Sequence, residues 1–299
     1  MPSTHQINDR NRWTGALVRG TQSVRHAFAL LFDFIGEQAI SRFEGVSSIL
    51  AIMVATFQLA IRPASWSESV RTVFSRQLLF TGADAVSVSL RIGAAVGVLI
   101  IVQAALWIDA LGVTNELIEP ILWRGIVREL APLLACLVVI GRSGIAISTE
   151  LATMVVSGEI EVLDSQGVDP MTYLVMPRIL AFVVSVFGLA VIIATTMLVT
   201  GFMIGQIMGV IRTPWSDFLG GAIRQFSSLD LVFFVPKTTI AGAFAGVICC
   251  RDAMSVRGTM SDVPRVTARS GIRALTAVFA VSAVLSVLIY GRFLVFKVL

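Results

Sequence analysis

Lysine is almost missing from this 299-residue chain, with Lys237 and Lys297 the only two, and histidine is as rare, with only His5 and His26. Both histidines precede the apolar bulk of the sequence, so no histidine-based nucleophile or zinc constellation can form within that bulk. No G-x-x-x-x-G-K-[ST] segment occurs, which excludes ATP binding through a P-loop of the chain's own. Three cysteines, Cys136 and the adjacent Cys249 and Cys250, are too few and too apolar in setting for a disulfide framework, and they read as helix-packing residues. Charge as a whole is sparse, at 14% of residues against 56% hydrophobic, and the mean hydropathy is +0.86. Such a chain is an all-α polytopic membrane protein. The net charge of +4 reflects the arginine bias of its loops and does not point to nucleic acid.

What is there is a set of long runs free of Asp, Glu, Lys and Arg: Ile92–Ile108, Leu130–Gly141, Ile179–Ile211 and Ala274–Gly291, with Leu231–Cys250 interrupted only by Lys237. A helix needs about 20 apolar residues to cross a core about 30 Å thick, so the sequence predicts five spans near 84–108, 122–152, 178–204, 229–250 and 271–292. The short Leu130–Gly141 run reaches across only if its helix carries Arg128, Glu129, Arg142 or Glu150 into the membrane region. Residues 1–75 differ in kind. Thr14–Phe43 mixes apolar side chains with Arg19, Arg25, Asp33, Glu37 and Arg42, as in an interfacial, elbow-type helix. Gly45–Ile61 is uncharged and reads as a shallowly embedded helix, with a sixth span as the alternative. No basic start, apolar run and A-x-A site occur together, so a cleaved leader is not expected.

Arginine sets the orientation. Arg251, Arg257, Arg265, Arg269 and Arg273 outnumber Asp252 and Asp262 in one connection, which places it in the cytoplasm together with the N-terminal Arg10, Arg12, Arg19 and Arg25. With five spans, the 153–177 connection falls on that same side.

The densest information lies between Val127 and Ala181, where charge sits inside and between apolar runs. Arg128 and Glu129 are adjacent, so on an α-helix they diverge by about 100° and meet different partners, while Arg124 and Arg128 share a face. The pair either closes the end of the second span or stands at the mouth of a cavity that receives a polar head group. Pro132 opens the helix ladder a turn earlier. Gly141, Gly144, Ala146 and Ser148 form a small-residue face suited to helix packing, and Arg142 and Glu150 are expected to pair within the bundle or reach the cytoplasmic boundary. Glu159, Ile160, Glu161, Leu163 and Asp164 alternate acid with apolar, Gly167 stops the helix, and Asp169-Pro170 turns the chain. That knob is either a solvated loop or a docking element for a basic groove. Lys237, after Pro236, either snorkels to the interface or points into the bundle toward Glu129 or an anionic phosphate.

These residues carry a resemblance. Arg128-Glu129-Leu130-Ala131-Pro132, Gly141-Arg142-Ser143-Gly144, Thr149-Glu150-Leu151, Gly167-Val168-Asp169-Pro170 and Pro177-Arg178-Ile179-Leu180-Ala181 follow the order and spacing of the signature of the MlaE/YrbE permease family of ABC lipid transporters. The resemblance extends from about Arg76 to the C terminus, with Lys237 at a family lysine and Val263-Pro264-Arg265-Val266-Thr267 like a family loop. Ala131 and Pro264 depart from the usual glycines, and the N-terminal 60 or so residues are longer than in compact members.

The resemblance implies an MlaE-type permease domain over 76–299. It implies two cytoplasmic ABC ATPase subunits using ATP and Mg, an MCE-domain lipid-binding protein on the outer side, and a second permease that is a copy or a paralogue. It implies a phospholipid or related lipid as cargo, carried between the bacterial inner membrane and the cell envelope, with no catalytic residue, metal or cofactor in this chain. By the same token Arg128, Glu129 and Lys237 are expected to line the lipid path and Glu159 to Pro170, with Val168, to couple to the ATPase. Pro132, Gly141, Arg142, Gly144, Glu150, Pro177 and Arg178 are expected to be structural. An ion-coupled secondary transporter using Glu129 and Lys237, or a scaffold for partner proteins, are the competing readings.

Overall fold

The computed structural model describes residues 45–111, 123–209, 214–215, 218, 220–221, 224 and 226–298. The amphipathic stretch Thr14–Phe43 and both histidines lie outside the described residues. The chain divides into two units, Met1–Ala51 and Ile52–Leu299.

Every regular element among the described residues is helical. Helix α1 is the uncharged Gly45–Ile61. Helix α2, Glu68–Thr81, starts at Ser67, whose hydroxyl accepts from the Val70 amide as an N-cap. A tight turn at Ala83–Ala85 leads into α3, Val86–Leu111. Then come α4, Gly125–Val156, the short α5, Glu159–Ser165, and α6, Met171–Ile207. The last two are α7, Ser228–Met254, and α8, Val263–Val298. Five stretches are long and apolar enough to cross a membrane: Glu68–Ala104, Gly125–Val156, Met171–Ile207, Asp230–Met254 and Met260–Tyr290. They correspond to the five spans expected, the first beginning earlier because α2 runs into α3 through a single turn.

Burial sorts the spans. The apolar windows of α4, α6 and α7 are 56%, 50% and 56% buried within the chain, against 22% for the first span and 17% for the last. The core is therefore a three-helix unit, with α3 laid on α6 and α8 laid on α7 and α4. Leu99, Ile272 and Val287 stay exposed on the outer helices, as expected where lipid replaces a protein neighbour.

Small residues bring α3 and α6 together. A Cβ built on Gly97 would lie 2.6 Å from the Met197 carbonyl oxygen and 2.8 Å from its Cα, and one on Gly93 would lie 3.2 Å from Thr196 Cβ. The obstacle at Gly97 is backbone, which cannot rotate away. Gly97→Ala is therefore expected to force α3 off α6 and lower stability by about 1–3 kcal/mol, seen as a reduced midpoint of thermal unfolding in detergent.

The two ends of the bundle differ. At one end, Ser148 on α4 donates to the Cys249 carbonyl at 3.1 Å and lies 3.4 Å from the Ser270 hydroxyl on α8. The arginine-rich connection from Arg251 to Arg273 therefore shares an end with α5. The opposite end gathers the starts of α4 and α7 and the later turns of α8.

Candidate functional site

Span α4 is not a uniform α-helix. Gly125–Leu130 and Ile140–Gly144 adopt the wider π geometry, with i→i+5 hydrogen bonding. The first precedes Pro132, whose missing N–H removes a donor from the ladder, and α6 repeats the arrangement with a π turn at Met171–Val175 before Pro177. The extra residue per turn rotates every later position about the helix axis. Arg124 is exposed while Arg128 is buried, so the shared face expected from α-helical spacing is corrected by the π turn between them.

Arg128 and Glu129, adjacent on this turn, meet two different partners on α7, as their divergence leads one to expect. Arg128 Nε donates to Asp230 Oδ1 at 2.5 Å, and its guanidinium lies 4.5 Å from the Phe233 ring centroid. Glu129 accepts from Lys237 Nζ. Asp230 and Lys237 are seven residues apart, two helical turns, and so share one face of α7. Ser286 on α8 completes the set: its hydroxyl accepts from Lys237 at 2.7 Å and lies 3.0 Å and 3.2 Å from the two Glu129 oxygens. Asp230 also accepts from the Ser227 amide at 2.9 Å. Lys237 therefore points into the bundle and does not snorkel.

Two positive and two negative side chains form two ion pairs, a set whose charges sum to zero, as buried charge requires. Its members differ in access. Asp230 is 1% exposed, Lys237 2% and Arg128 8%, whereas the Glu129 side chain is 33% exposed. The set thus has one open face, at Glu129 of the second pair. Neither Asp230 nor Ser286 stands out in the sequence. The available signal for Asp230 is its spacing of seven from the only lysine in the spans; for Ser286 it is the Ser282–Ser286 step of four within an apolar run.

The other predicted residues separate by place. Arg142 donates to the Phe80 carbonyl at 2.9 Å and pairs with Asp84 at 3.3 Å, anchoring α4 to the corner between α2 and α3. Glu150 accepts from Arg178 at 2.8 Å. Both find partners on other elements, and the carboxylate of each pair, Asp84 or Glu150, stays more than half exposed. Gly144 packs closely, since a Cβ there would stand 3.2 Å from Cys249 Sγ and 3.4 Å from Phe182. Gly141 does not belong to that packed face: it is exposed, and a Cβ would meet nothing within 4 Å. The π turn at Ile140–Gly144 again explains the change of face. All three cysteines are free and buried, as their reading as packing residues requires.

Helix α5 is short and buries no residue. Glu159, Glu161 and Asp164 are exposed, and so is Val162, while Ile160 and Leu163 are half-buried. Gly158 and Gly167 bracket it with φ of +78° and +76°, a left-handed conformation that glycine adopts without strain. The Val168 amide donates to the Leu163 carbonyl at 3.1 Å, closing the helix end. Asp169 faces the other way: its carboxylate accepts from the Met171 and Thr172 amides at 3.1 Å each, capping α6, with Pro170 next in line. Asp169 and Pro170 thus build the start of α6 and are not part of α5.

An all-helical chain whose inner spans enclose a neutral charge network with one accessible carboxylate is built as a membrane transport protein. The chain belongs to the MlaE permease family: the family model, Permease MlaE, matches residues 74–288. It is 28% identical over 211 residues to the chloroplastic protein TRIGALACTOSYLDIACYLGLYCEROL 1 of Arabidopsis thaliana, covering 71% of this chain and 59% of that protein. It is 26% identical over 220 residues to a probable ABC transporter permease protein of Rickettsia typhi, covering 73% and 82% of the two chains. A probable ABC transporter permease protein of Synechocystis is 27% identical over 218 residues, with 72% and 80% covered. The family is one of permeases, so the chain is a transporter subunit and multi-pass.

Proposed function

We propose that this chain is the membrane-spanning subunit of an ABC transporter that moves phospholipid or a related lipid between the bacterial inner membrane and the cell envelope. The observation that carries the proposal is the asymmetry of the charge network. Lys237 is sealed inside, held by Glu129 and Ser286, and Glu129 is its accessible member. A lipid phosphate arriving at Glu129 can take its place beside Lys237, exchanging one charge-assisted contact for another. A head-group amine would in turn be received by the released Glu129 carboxylate. The apolar tails need only the lipid-compatible surfaces of the spans. No covalent bond is made or broken.

A carboxylate that is partly open at membrane depth is shielded from acyl chains by a neighbour or by water. A second permease, a copy or a paralogue, packed beside α4 supplies that shielding, and an MCE-domain protein receives or delivers the lipid on the outer side. In this orientation the arginine-rich end and the N terminus are cytoplasmic, and α5 faces two ATPase subunits that use ATP and Mg. The alternation of acid and apolar side chains on α5 supports docking in a groove with basic residues.

Reversing Glu159, Glu161 and Asp164 to lysine is expected to abolish co-purification of the ATPase while the permease itself still folds, because none of the three is buried. Undiminished association would remove α5 from the docking surface. Purification with its genomic neighbours is expected to yield an ATPase and bound lipid identifiable by mass spectrometry, and recovery of neither would sink the proposal. Uptake into proteoliposomes driven by an ion gradient without nucleotide would reassign Glu129 and Lys237 to ion coupling.

A further inference from the structure

We propose that Arg178, paired with Glu150, is a positioning residue that clamps the two spans flanking α5, so that a push on α5 moves α4 and α6 as one body. The inference rests on the docking role proposed for α5.

The base of α5 is built differently from α5 itself. The short helix buries nothing and joins its two spans through Gly158 and Gly167, both at positive φ. Just below these junctions an ion pair joins the two spans, its arginine buried and its carboxylate half-exposed. Arg178, 2% exposed, sends Nη2 to Glu150 Oε1 at 2.8 Å and Nη1 to the Leu174 carbonyl at 3.2 Å. One guanidinium therefore binds α4 through a side chain and its own helix through the π turn that precedes Pro177. Pro177 removes the N–H that an α-helix would aim at the Tyr173 carbonyl, and the guanidinium binds the next carbonyl along, that of Leu174. The pair spans 28 positions of sequence and converts the α4–α5–α6 hairpin into a closed ring.

Beyond the clamp the helices are in tight register. Gly144 on α4 meets Cys249 and Phe182, and a Cβ on Gly246 of α7 would lie 3.1 Å from Phe182 Cβ and 3.3 Å from Ile179 Cα. A displacement of the clamped ends is thereby handed to α7, which carries Asp230 and Lys237 at its other end. Without the clamp, the ends of α4 and α6 would separate under load and the displacement would be absorbed at the base of α5.

The test uses the permease–ATPase complex in vesicles of phosphatidylethanolamine and phosphatidylglycerol, with a fluorescent-tailed phospholipid as probe and ATP hydrolysis read in parallel. The double variant Glu150→Gln/Arg178→Met removes both charges and leaves neither uncompensated. It is expected to keep ATPase association and hydrolysis while the lipid moved per ATP falls about tenfold, within the range of a single allosteric coupling. Arg178→Lys, which keeps the charge but not the fork, is expected to retain an intermediate ratio. An unchanged ratio in the double variant would overturn the clamp, and so would loss of ATPase association, which would assign the pair to docking. Amide hydrogen exchange on the permease alone separates this from the docking reading. If the parent chain binds no ATPase, that reading has failed. The clamp still predicts about tenfold faster exchange over Met171–Val175 in the double variant, and unaltered exchange there refutes it.

Discussion

Asp230→Ala is expected to destabilise the folded protein by about 3–5 kcal/mol, the usual cost of leaving one member of a buried ion pair alone. Asp230 is 1% exposed and holds Arg128, itself 8% exposed, at 2.5 Å. With the carboxylate gone, the guanidinium keeps its place over the Phe233 ring. A cation over one phenyl face is worth about 0.5–2 kcal/mol, less than the loss. The Ser227 amide loses an acceptor in the same step. Thermal unfolding in detergent measures the effect directly. The double variant Arg128→Leu/Asp230→Leu is expected to be more stable than Asp230→Ala, because it removes both charges together. If the single variant unfolds within about 0.5 kcal/mol of the parent, the pair is not a buried one in the protein as it works.

The second large effect concerns transport. Glu129→Gln/Lys237→Met removes the opposite charges of the proposed lipid-exchange pair and preserves the neutrality of the network. Its stability is expected to stay near that of the parent, since no lone charge remains. Transport of a phospholipid probe is expected to fall about tenfold to a hundredfold, because a hydrogen bond between charged groups contributes about 1.5–3 kcal/mol and each 1.4 kcal/mol is a factor of ten. Folding retained with transport lost assigns the pair to the lipid path. Transport at the parent rate would make it a purely structural bridge and move weight to the scaffold reading.

The charged blocks were legible because charge is scarce here: in a chain this apolar, Arg128, Glu129 and Lys237 stand out, although a span-end or snorkelling place stayed open for them. The direct pairing of Glu129 with Lys237 was one of the open alternatives, and the structure selects it. Asp230 escaped notice because it borders an apolar run and reads as the end of a span, although the structure buries it. Ser286 escaped because a hydroxyl in an apolar helix ordinarily satisfies itself on the preceding turn, as this one also does on Ser282. The faces of α4 were misjudged at Arg124 and Gly141 for a shared reason. Periodicity assumes 3.6 residues per turn, and two π turns break that count. The partner of Arg178 depends on which helix ends lie side by side, which spacing along one helix does not reveal.

A single charge carried across the bilayer exchanges about 2.3 kcal/mol with the membrane voltage for every 100 mV. Arg128, Glu129, Asp230 and Lys237 sum to zero, and they sit on two helices tied to each other. When α4 and α7 shift together, the four charges move as a set whose translation does no net electrical work. For these four charges a change in membrane voltage therefore neither adds to nor subtracts from the work of such a shift.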